Sequence, residues 1–207
     1  SQLVVVLATQ PEPAGDLLDQ YLVAAERIGV RGLICLNKCD LLDAAARQAF
    51  VERYAHYAAI GYPVIEVSAK REHGLAPLRA SLRGHTSILV GQSGVGKSSL
   101  INALLPEQAV AEGALSDATG LGRHTTSAAT LYALDSGGDL IDSPGVRSFR
   151  LGDISRSELA QGFREFTPYL ARCRFHNCAH LNEPGCAIAA AAERGQIHPQ
   201  RLANYRH

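Results

Sequence analysis

The sequence predicts an α/β fold in which a mostly parallel sheet carries helices on both faces, followed by a small, mainly helical C-terminal domain. Short apolar runs alternate with longer segments of helical period, and several of these runs end in glycine or polar residues. A chain of 207 residues, 46% of them hydrophobic, suffices for one full α/β domain and a smaller appendage. We therefore expect domains at residues 1–150 and 151–207.

The first half of the chain supplies three predicted strands, with a helix between each pair. The predicted strands are QLVVVLA, RGLICL and PVIEVSAK, and the predicted helices are GDLLDQYLVAAERIG and DAAARQAFVERYAHYAA. The opening run is too short for a signal peptide and lacks a basic flank. No apolar run is long enough to span a bilayer, and the formal net charge of zero gives no general argument for nucleic-acid binding.

A phosphate-binding loop is predicted at residues 91–100, GQSGVGKSSL, between the strand HTSILVG and the helix KSSLINALL. In the spacing G-x-x-x-x-G-K-S, glycines let successive backbone N–H groups surround phosphates, and the helix N-terminus favours the anion. Lys97 is expected to reach the β- and γ-phosphates, and the Ser98 hydroxyl to ligate Mg²⁺.

The residues after RGLICL predict which base is bound. Asp40 in the pattern N-K-C-D can accept two hydrogen bonds from the ring N–H and exocyclic amine of guanine, and adenine offers no such pair. The Lys38 stem can cover the base, and Asn37 can tie this loop to the phosphate loop. Taken alone, the pattern fits an ordinary polar turn equally well. PVIEVSAK adds Ser68 and Ala69, whose backbone N–H could contact the guanine carbonyl oxygen.

Two further segments predict the metal and γ-phosphate contacts. GGDLIDSPG is a strand ending in D-S-P-G, which supplies Asp142 near Mg²⁺ and the Gly145 N–H for the γ-phosphate. The segment GRHTT supplies a threonine to complete the metal shell, either Thr125 or Thr126. Ras-like enzymes orient the attacking water with a glutamine after D-x-x-G, and Val146 occupies that place here.

His124, in GRHTT, is our hypothesis for the residue that orients this water, because it is the polar candidate beside the missing glutamine. The alternative is that His124 packs or faces solvent. Lys97 and Mg²⁺, held by Ser98 and Thr125, would supply the charge neutralisation that phosphoryl transfer needs.

The order of the motifs predicts a circular permutation. Ras-like GTPases run phosphate loop, threonine, D-x-x-G, N-K-x-D, S-A-K, whereas this chain begins with N-K-C-D and S-A-K and continues with the phosphate loop, GRHTT and D-S-P-G. Because domain termini usually lie close together at the surface, such a rearrangement is tolerated. The rejoined connection would be GLAPLRASLRG.

The segment after residue 150 predicts a structural zinc site. It places three thiols and an imidazole at the spacing C-x₄-C-x-H-x₅-C, a closed tetrahedral set of ligands: Cys173, Cys178, His180 and Cys186. His176 is a competing ligand, and the alternative is three free thiols with a surface histidine. Cys35 and Cys39 lie in the predicted guanine strand and loop and are interpreted as incidental.

A mild excess of arginine marks the same segment, with seven arginines against five acidic residues between 151 and 207. Arginines that could meet RNA phosphates are Arg172, Arg174, Arg201 and Arg206. An ordinary solvated surface explains the excess equally well.

These motifs together resemble the RsgA family, also called YjeQ, of circularly permuted P-loop GTPases of small ribosomal subunit biogenesis. The resemblance covers N-K-C-D, GQSGVGKSSL, GRHTT, D-S-P-G and the cysteine cluster with EPGC around its last member. It implies a cytoplasmic enzyme that hydrolyses GTP to GDP and phosphate, binds the small (30S) subunit and its rRNA late in assembly, and is stimulated by it. We expect a monomer without membrane contact.

Carried over by position, the resemblance places nucleotide contacts on Asn37, Lys38, Asp40, Gly91, Gln92, Ser93, Gly94, Val95, Gly96, Lys97, Ser98 and Ser99. Zinc ligands fall on the four residues of the cysteine cluster. The family has an N-terminal OB-fold before the first strand, and we expect that domain to lie outside this chain.

Three alternatives stay open at this point. The first is a P-loop ATPase or small-molecule kinase, in which N-K-C-D and S-A-K would have no role in binding the base. Another permuted ribosome-assembly GTPase shares the motif order. A GTP-controlled RNA-binding switch with little catalysis would need the same nucleotide site.

Overall fold

A single sheet organises the computed structural model, which describes residues 1–13, 15–71, 74–105, 129–142 and 152–207. Within these residues the sheet has six strands, β1 (Gln2–Leu7), β2 (Arg31–Leu36), β3 (Val64–Glu66), β4 (Thr86–Val90), β5 (Thr130–Ala133) and β6 (Asp139–Asp142). Their spatial order is β3-β2-β1-β4-β6-β5, and only β5 runs antiparallel to its neighbour. The loops after β2, β3, β4 and β6 therefore lie at one edge of the sheet.

Eight α-helices lie in the described residues, α1 (Leu17–Ile28), α2 (Ala44–Arg53), α3 (Ala55–Ala59), α4 (Ala76–Leu82), α5 (Lys97–Leu104), α6 (Arg156–Gln161), α7 (Ala187–Glu193) and α8 (Pro199–Arg206). α1 ends at Gly29, whose left-handed φ of 69° lets its N–H reach the carbonyls of the last turn. In the described part of the chain, no helix combines the length and apolar character that a membrane span requires.

The predicted strands are all present, one predicted helix needs correction, and one strand was missed. DAAARQAFVERYAHYAA forms two helices instead of one, because the chain leaves helical geometry at Tyr54 (φ −109°, ψ 5°), whose ring is buried edge-on to Phe50. β5 was not predicted from the sequence. It is an edge strand in which Leu131 is 60% exposed, so it lacks the continuous apolar run of a buried strand.

Both faces of the sheet are covered, as its apolar strands predict. Val4 and Val6 of β1 pack on one face with residues of α4 and α5, whereas Val5 and Leu7 pack on the other face with α1, α2 and α3. Each of these four side chains is almost fully buried, which contributes about 1.5–3 kcal/mol apiece. This two-sided core fixes β1 at the centre of the fold.

A third apolar cluster belongs to the C-terminal unit, defined here as residues 152–207. Phe163, Phe166 and Tyr205 form its aromatic centre, with ring centroids 4.9–5.5 Å apart. The cluster also takes in Val23 of α1, and a Cβ on Gly162 would lie only 2.5 Å from the Val23 side chain. The C-terminal unit is therefore packed directly on α1. The predicted domain limit at residues 150 and 151 lies outside the described residues.

A buried ion cluster joins the two parts of the chain. Arg201 of α8 is fully buried and donates to both oxygens of Glu165, at 2.6 and 2.9 Å, and to Oδ1 of Asp19 on α1, at 2.5 Å. The Tyr57 hydroxyl donates to the same Asp19 oxygen at 2.7 Å. Removing one partner of such a buried pair costs about 3–5 kcal/mol, because it leaves an uncompensated charge. Arg201 therefore serves the packing of the C-terminal unit on α1.

Candidate functional site

The phosphate loop joins the end of β4 to the start of α5, and at two of its positions the surrounding atoms leave no room for a side chain. Gly91 has φ 137°, and a Cβ there would lie 2.3 Å from the Val6 carbonyl oxygen. Gly96 has φ 97°, and its Cβ would lie 2.5 Å from Asn37 Nδ2. Only glycine fits both positions. Lys97 folds back over the loop, and its Nζ donates to the carbonyls of Gly91 at 2.7 Å and Gln92 at 2.9 Å.

Gly91→Ala should destabilise the protein strongly, because the added methyl group meets backbone that cannot move aside. We expect a loss of more than about 3 kcal/mol, above the cost of an unfavourable φ alone. The measurement is the free energy of unfolding in urea. Gly84→Ala is the matched control, since Gly84 also has a positive φ of 73° but nothing within 4 Å of its Cβ position. Equal losses in the two variants would show that the Val6 contact is unimportant.

The predicted guanine loop, residues 37–40, begins where β2 ends, and two of its side chains donate hydrogen bonds to the phosphate loop. The buried Asn37 side chain donates to the Val95 carbonyl at 2.9 Å, across 58 residues of sequence. Lys38, with a left-handed φ of 61°, donates from Nζ to the Gly94 carbonyl at 2.6 Å. The loop that would read the base is therefore tied to the loop that would hold the phosphates.

Asp40 is held in place by the segment after β3. The Ser68 hydroxyl donates to Asp40 Oδ1 at 2.7 Å, and the Arg71 guanidinium donates to the Asp40 backbone carbonyl at 3.3 Å. Ala69 follows Ser68 at the same edge of the sheet. With one oxygen bound by Ser68, the second carboxylate oxygen and a further lone pair remain available for a ligand. This arrangement suits a pair of donors such as guanine presents.

Some of the remaining predicted nucleotide and magnesium residues lie in the described part of the chain, and the others lie outside it. Ser93, Ser98 and Ser99 are exposed in the phosphate loop and the first turn of α5. Asp142 ends β6, the parallel neighbour of β4, and so lies at the same edge of the sheet. The other predicted switch residues lie outside the described residues: His124, Thr125, Thr126, Gly145 and Val146.

The predicted zinc ligands come together in the C-terminal unit. One ligand atom from each of Cys173, Cys178, His180 and Cys186 lies within 4.8 Å of the others. His180 Nδ1 lies 3.5 Å from Cys173 Sγ and 3.6 Å from Cys186 Sγ. Bonds of about 2.3 Å to sulfur and about 2.0 Å to nitrogen put neighbouring ligands of tetrahedral Zn²⁺ about 3.5 Å apart. The four side chains fit that ion.

The chemistry of the cluster also suits a bound cation. Burial raises the pKa of Cys178 to about 12, and hydrogen bonds that its S–H donates to the Cys173 and Cys186 sulfurs act in the same direction. Burial lowers the pKa of His180, which keeps its imidazole neutral and able to ligate. A divalent ion at the centre would offset the cost of deprotonating three neighbouring thiols.

Glu183 orders the turn that carries the histidine. Its carboxylate accepts hydrogen bonds from the backbone N–H groups of Ala179, Leu181 and Asn182, at 2.9–3.1 Å. The backbone N–H of Glu183 itself lowers the pKa of this carboxylate, and the other three bonds act in the same direction. They hold the chain around His180, which has a left-handed φ of 59°. The exposed His176 does not join the four-residue cluster.

Of the arginines named as candidates for RNA contact, Arg172 and Arg174 are exposed and lie near the aromatic rings of Tyr169 and Phe175. Arg206 is half-buried and donates to the His180 carbonyl at 3.2 Å. The expectation for Arg201 was wrong, because its guanidinium is fully buried between Asp19 and Glu165. Cys35 and Cys39 are buried free thiols in the sheet core.

Sequence reasoning missed two residues that support the nucleotide loops. Arg71 directly follows S-A-K, so its position after the third strand could have suggested a role. Gln10 gave no signal, because its contribution is a backbone carbonyl, which accepts from Lys38 Nζ at 2.9 Å.

Comparison with known proteins agrees with this architecture. The family model described as RsgA GTPase matches residues 1–152. A small ribosomal subunit biogenesis GTPase RsgA from Azotobacter vinelandii is 50% identical over 206 residues, and one from Ectopseudomonas mendocina is 52% identical. Both alignments cover the whole of this chain but only 60% of the relative.

Two solved structures share the fold. YjeQ from Thermotoga maritima is 34% identical with a TM-score of 0.82, over 99% of this chain and 68% of that one. YloQ, described as a circularly permuted GTPase, is 34% identical with a TM-score of 0.77, over 99% of this chain and 65% of that one. The predicted α/β fold and its permutation are confirmed. The chain belongs to the RsgA GTPase family.

Proposed function

We propose that this chain binds guanine nucleotides with Mg²⁺ and hydrolyses the phosphoric anhydride of GTP to give GDP and phosphate. The observation that carries the proposal is the direct hydrogen bonding of the guanine loop to the phosphate loop, by Asn37 to Val95 and by Lys38 to Gly94. A site assembled in this way binds base and phosphates together. The N-K-C-D and S-A-K segments favour guanine over adenine, as the carboxylate of Asp40 requires.

The proposed roles follow from position. Asp40, oriented by Ser68, accepts from the base, and the backbone N–H of Ala69 contacts its carbonyl oxygen. Lys97 neutralises phosphate charge, and His124 orients the attacking water with Gly145 donating to the γ-phosphate. Ser98, Asp142 and Thr125 would hold Mg²⁺, which supplies further charge neutralisation when bound. The proposed nucleotide contacts also include Asn37, Lys38, Gly91, Gln92, Ser93, Gly94, Val95, Gly96 and Ser99.

The proposed setting is the assembly of the small ribosomal subunit, since the relatives carry that role in their names and cover the whole of this chain. We place the protein in the cytoplasm as a monomer that binds the 30S subunit late in its maturation and is stimulated by it. Its contacts with rRNA would use exposed arginines of the C-terminal unit, Arg172 and Arg174. One Zn²⁺ in the cysteine cluster would hold that unit, the proposed second domain, in shape.

GTP turnover by this chain, with and without purified small subunits, tests the proposal. We expect slow basal hydrolysis and strong stimulation by the subunits, with GTP preferred over ATP at equal concentration. Lys97→Ala should lower stimulated turnover by about 100-fold or more, because it removes a preorganised charge at the phosphates. Retention of full turnover in Lys97→Ala, or equal use of ATP, would contradict the proposed site.

A further inference from the structure

Helix α1 lies between the nucleotide site and the C-terminal unit and packs against both. Leu18, Tyr21 and Leu22 lie in the core beneath one face of the sheet. Val23 lies in the core of the C-terminal unit, and Asp19 forms the buried ion pair with Arg201. A displacement of α1 would therefore change the packing of both the sheet core and the C-terminal unit.

On the side of the sheet, α1 contacts the first residue of the phosphate loop. The buried Tyr21 packs in the same core cluster as Val90, the residue before Gly91, and its hydroxyl lies beside the backbone N–H of Gly91. The carbonyl of Gly91 in turn accepts from Lys97 Nζ at 2.7 Å. The start of the loop is thus fixed between the helix α1 and the lysine expected to meet the phosphates.

The connection between β1 and α1 makes a second contact with the same loop. Lys38 Nζ donates both to the Gln10 carbonyl, at 2.9 Å, and to the Gly94 carbonyl, at 2.6 Å. The ring of Pro11 lies 3.4 Å from the position of a Cβ on Gly94, which is ordinary van der Waals contact. Residues 10 and 11 therefore lie against the middle of the phosphate loop.

On the opposite side, the C-terminal unit holds the beginning of α1. Asn204 Nδ2 donates to the Gly15 carbonyl at 3.1 Å and to Asp19 Oδ2 at 2.6 Å. Arg201 and Tyr57 donate to the other oxygen of Asp19. Both oxygens of this buried carboxylate are therefore used, one by α8 alone and one by α8 together with α3.

We propose that the C-terminal unit positions the phosphate loop, with Asn204 and Arg201 fixing the start of α1 and Tyr21 transmitting that position to Gly91. These are positioning residues, since none of them touches the nucleotide. The inference rests on the proposed nucleotide binding and adds that binding depends on residues more than 100 positions away in sequence. Because coupling between sites is reciprocal, bound nucleotide should also stabilise the contact of α8 with α1.

The test is the dissociation rate of a fluorescent GDP analogue from the full chain and four variants. Asn204→Ala removes the two hydrogen bonds that Asn204 donates, to Gly15 and to Asp19, and Tyr21→Phe removes only the hydroxyl. We expect each to release the analogue about five- to tenfold faster, a change of the size that positional coupling produces. In the double variant, the increase in the release rate should be smaller than the product of the two single increases, because both changes act on one helix.

Arg27→Ala is the matched control. Arg27 also joins α1 to the C-terminal unit, through Glu158 at 3.1 Å, but at the far, exposed end of the helix. Arg27→Ala should change the release rate of the analogue by no more than about twofold, because exposed ion pairs contribute little to stability. The thermal unfolding temperature of each variant shows whether its release rate is explained by a change in stability alone. Release that follows the unfolding temperature across all variants, Arg27→Ala included, would overturn the positioning role.

Amide exchange of wild-type protein gives a readout that needs no variant. GDP should slow exchange in α8, residues 199–206, although these residues lie outside the nucleotide site. Unchanged exchange there, in protein that binds GDP, would overturn the inference and leave the proposed function standing. Failure of the wild-type chain to bind GDP at all would refute the proposed function and the inference with it.

Discussion

Asp40→Asn is expected to exchange the base preference of the site from guanine to xanthine. In the proposed site the Asp40 carboxylate accepts from two guanine donors, and an amide in its place would direct an N–H₂ group at one of them. Xanthine carries a carbonyl where guanine carries its amine, so the new donor finds an acceptor. We expect affinity for GDP to fall by about 10³-fold or more, since the mismatch leaves buried polar groups unpaired. Competition of GDP, XDP and ADP against a fluorescent GDP analogue measures it.

Asp43→Asn provides the control for this exchange. Asp43 is exposed three residues away and accepts from the Ala46 N–H as the N-cap of α2, a role that asparagine fills equally well. This variant should bind GDP as wild type does. If Asp40→Asn kept wild-type affinity for GDP and none for XDP, Asp40 would not read the base, and the guanine assignment would lose its main support.

Removal of the proposed zinc ion is expected to unfold the C-terminal unit. Structural Zn²⁺ contributes about 10–16 kcal/mol to small domains of this kind, more than the few short helices of residues 152–207 can replace. Cys178→Ala should therefore abolish stoichiometric zinc and remove the helical signal of α6, α7 and α8. Metal analysis together with circular dichroism, before and after a strong chelator, measures both changes.

His176→Ala is the companion variant for the metal site. His176 is exposed two residues from Cys178 and does not reach the four-ligand cluster. It should keep one zinc per chain and wild-type helicity. Loss of zinc in His176→Ala, with retention in His180→Ala, would reassign the fourth ligand. Full helicity in the chelated wild-type protein would show that the unit folds without metal.

The strands buried on both faces were predictable, because they read as continuous apolar runs. QLVVVLA, RGLICL and HTSILVG correspond closely to β1, β2 and β4, which form the centre of the sheet. β5 could not be recognised in this way, since an exposed edge strand carries no such run. The break at Tyr54 depends on where its aromatic ring packs, which local sequence does not encode.

The site was predictable where its residues follow strands in short motifs, and not where they meet by tertiary packing. The phosphate loop is recognisable from its spacing, whereas N-K-C-D becomes specific only in combination with S-A-K and the phosphate loop. Arg201 was named as a candidate for RNA contact, whereas it is buried against Asp19, which lies 182 residues earlier in the chain. Asn204 and Gly15 are 189 residues apart, and Tyr21 meets Gly91 only through the packing of α1. No sequence pattern links such pairs.

The strand order also has a consequence for the newborn chain. β1 pairs with β2, about 30 residues later in the chain, and with β4, roughly 80 residues later. At ordinary rates of translation, the side of β1 that pairs with β4 therefore stays unpaired for about 4–16 s. An unpaired, wholly apolar edge is the form of a strand most prone to aggregate. The permutation thus makes β1 emerge before β4, one of its two partners, so chaperone protection of QLVVVL would matter during that interval.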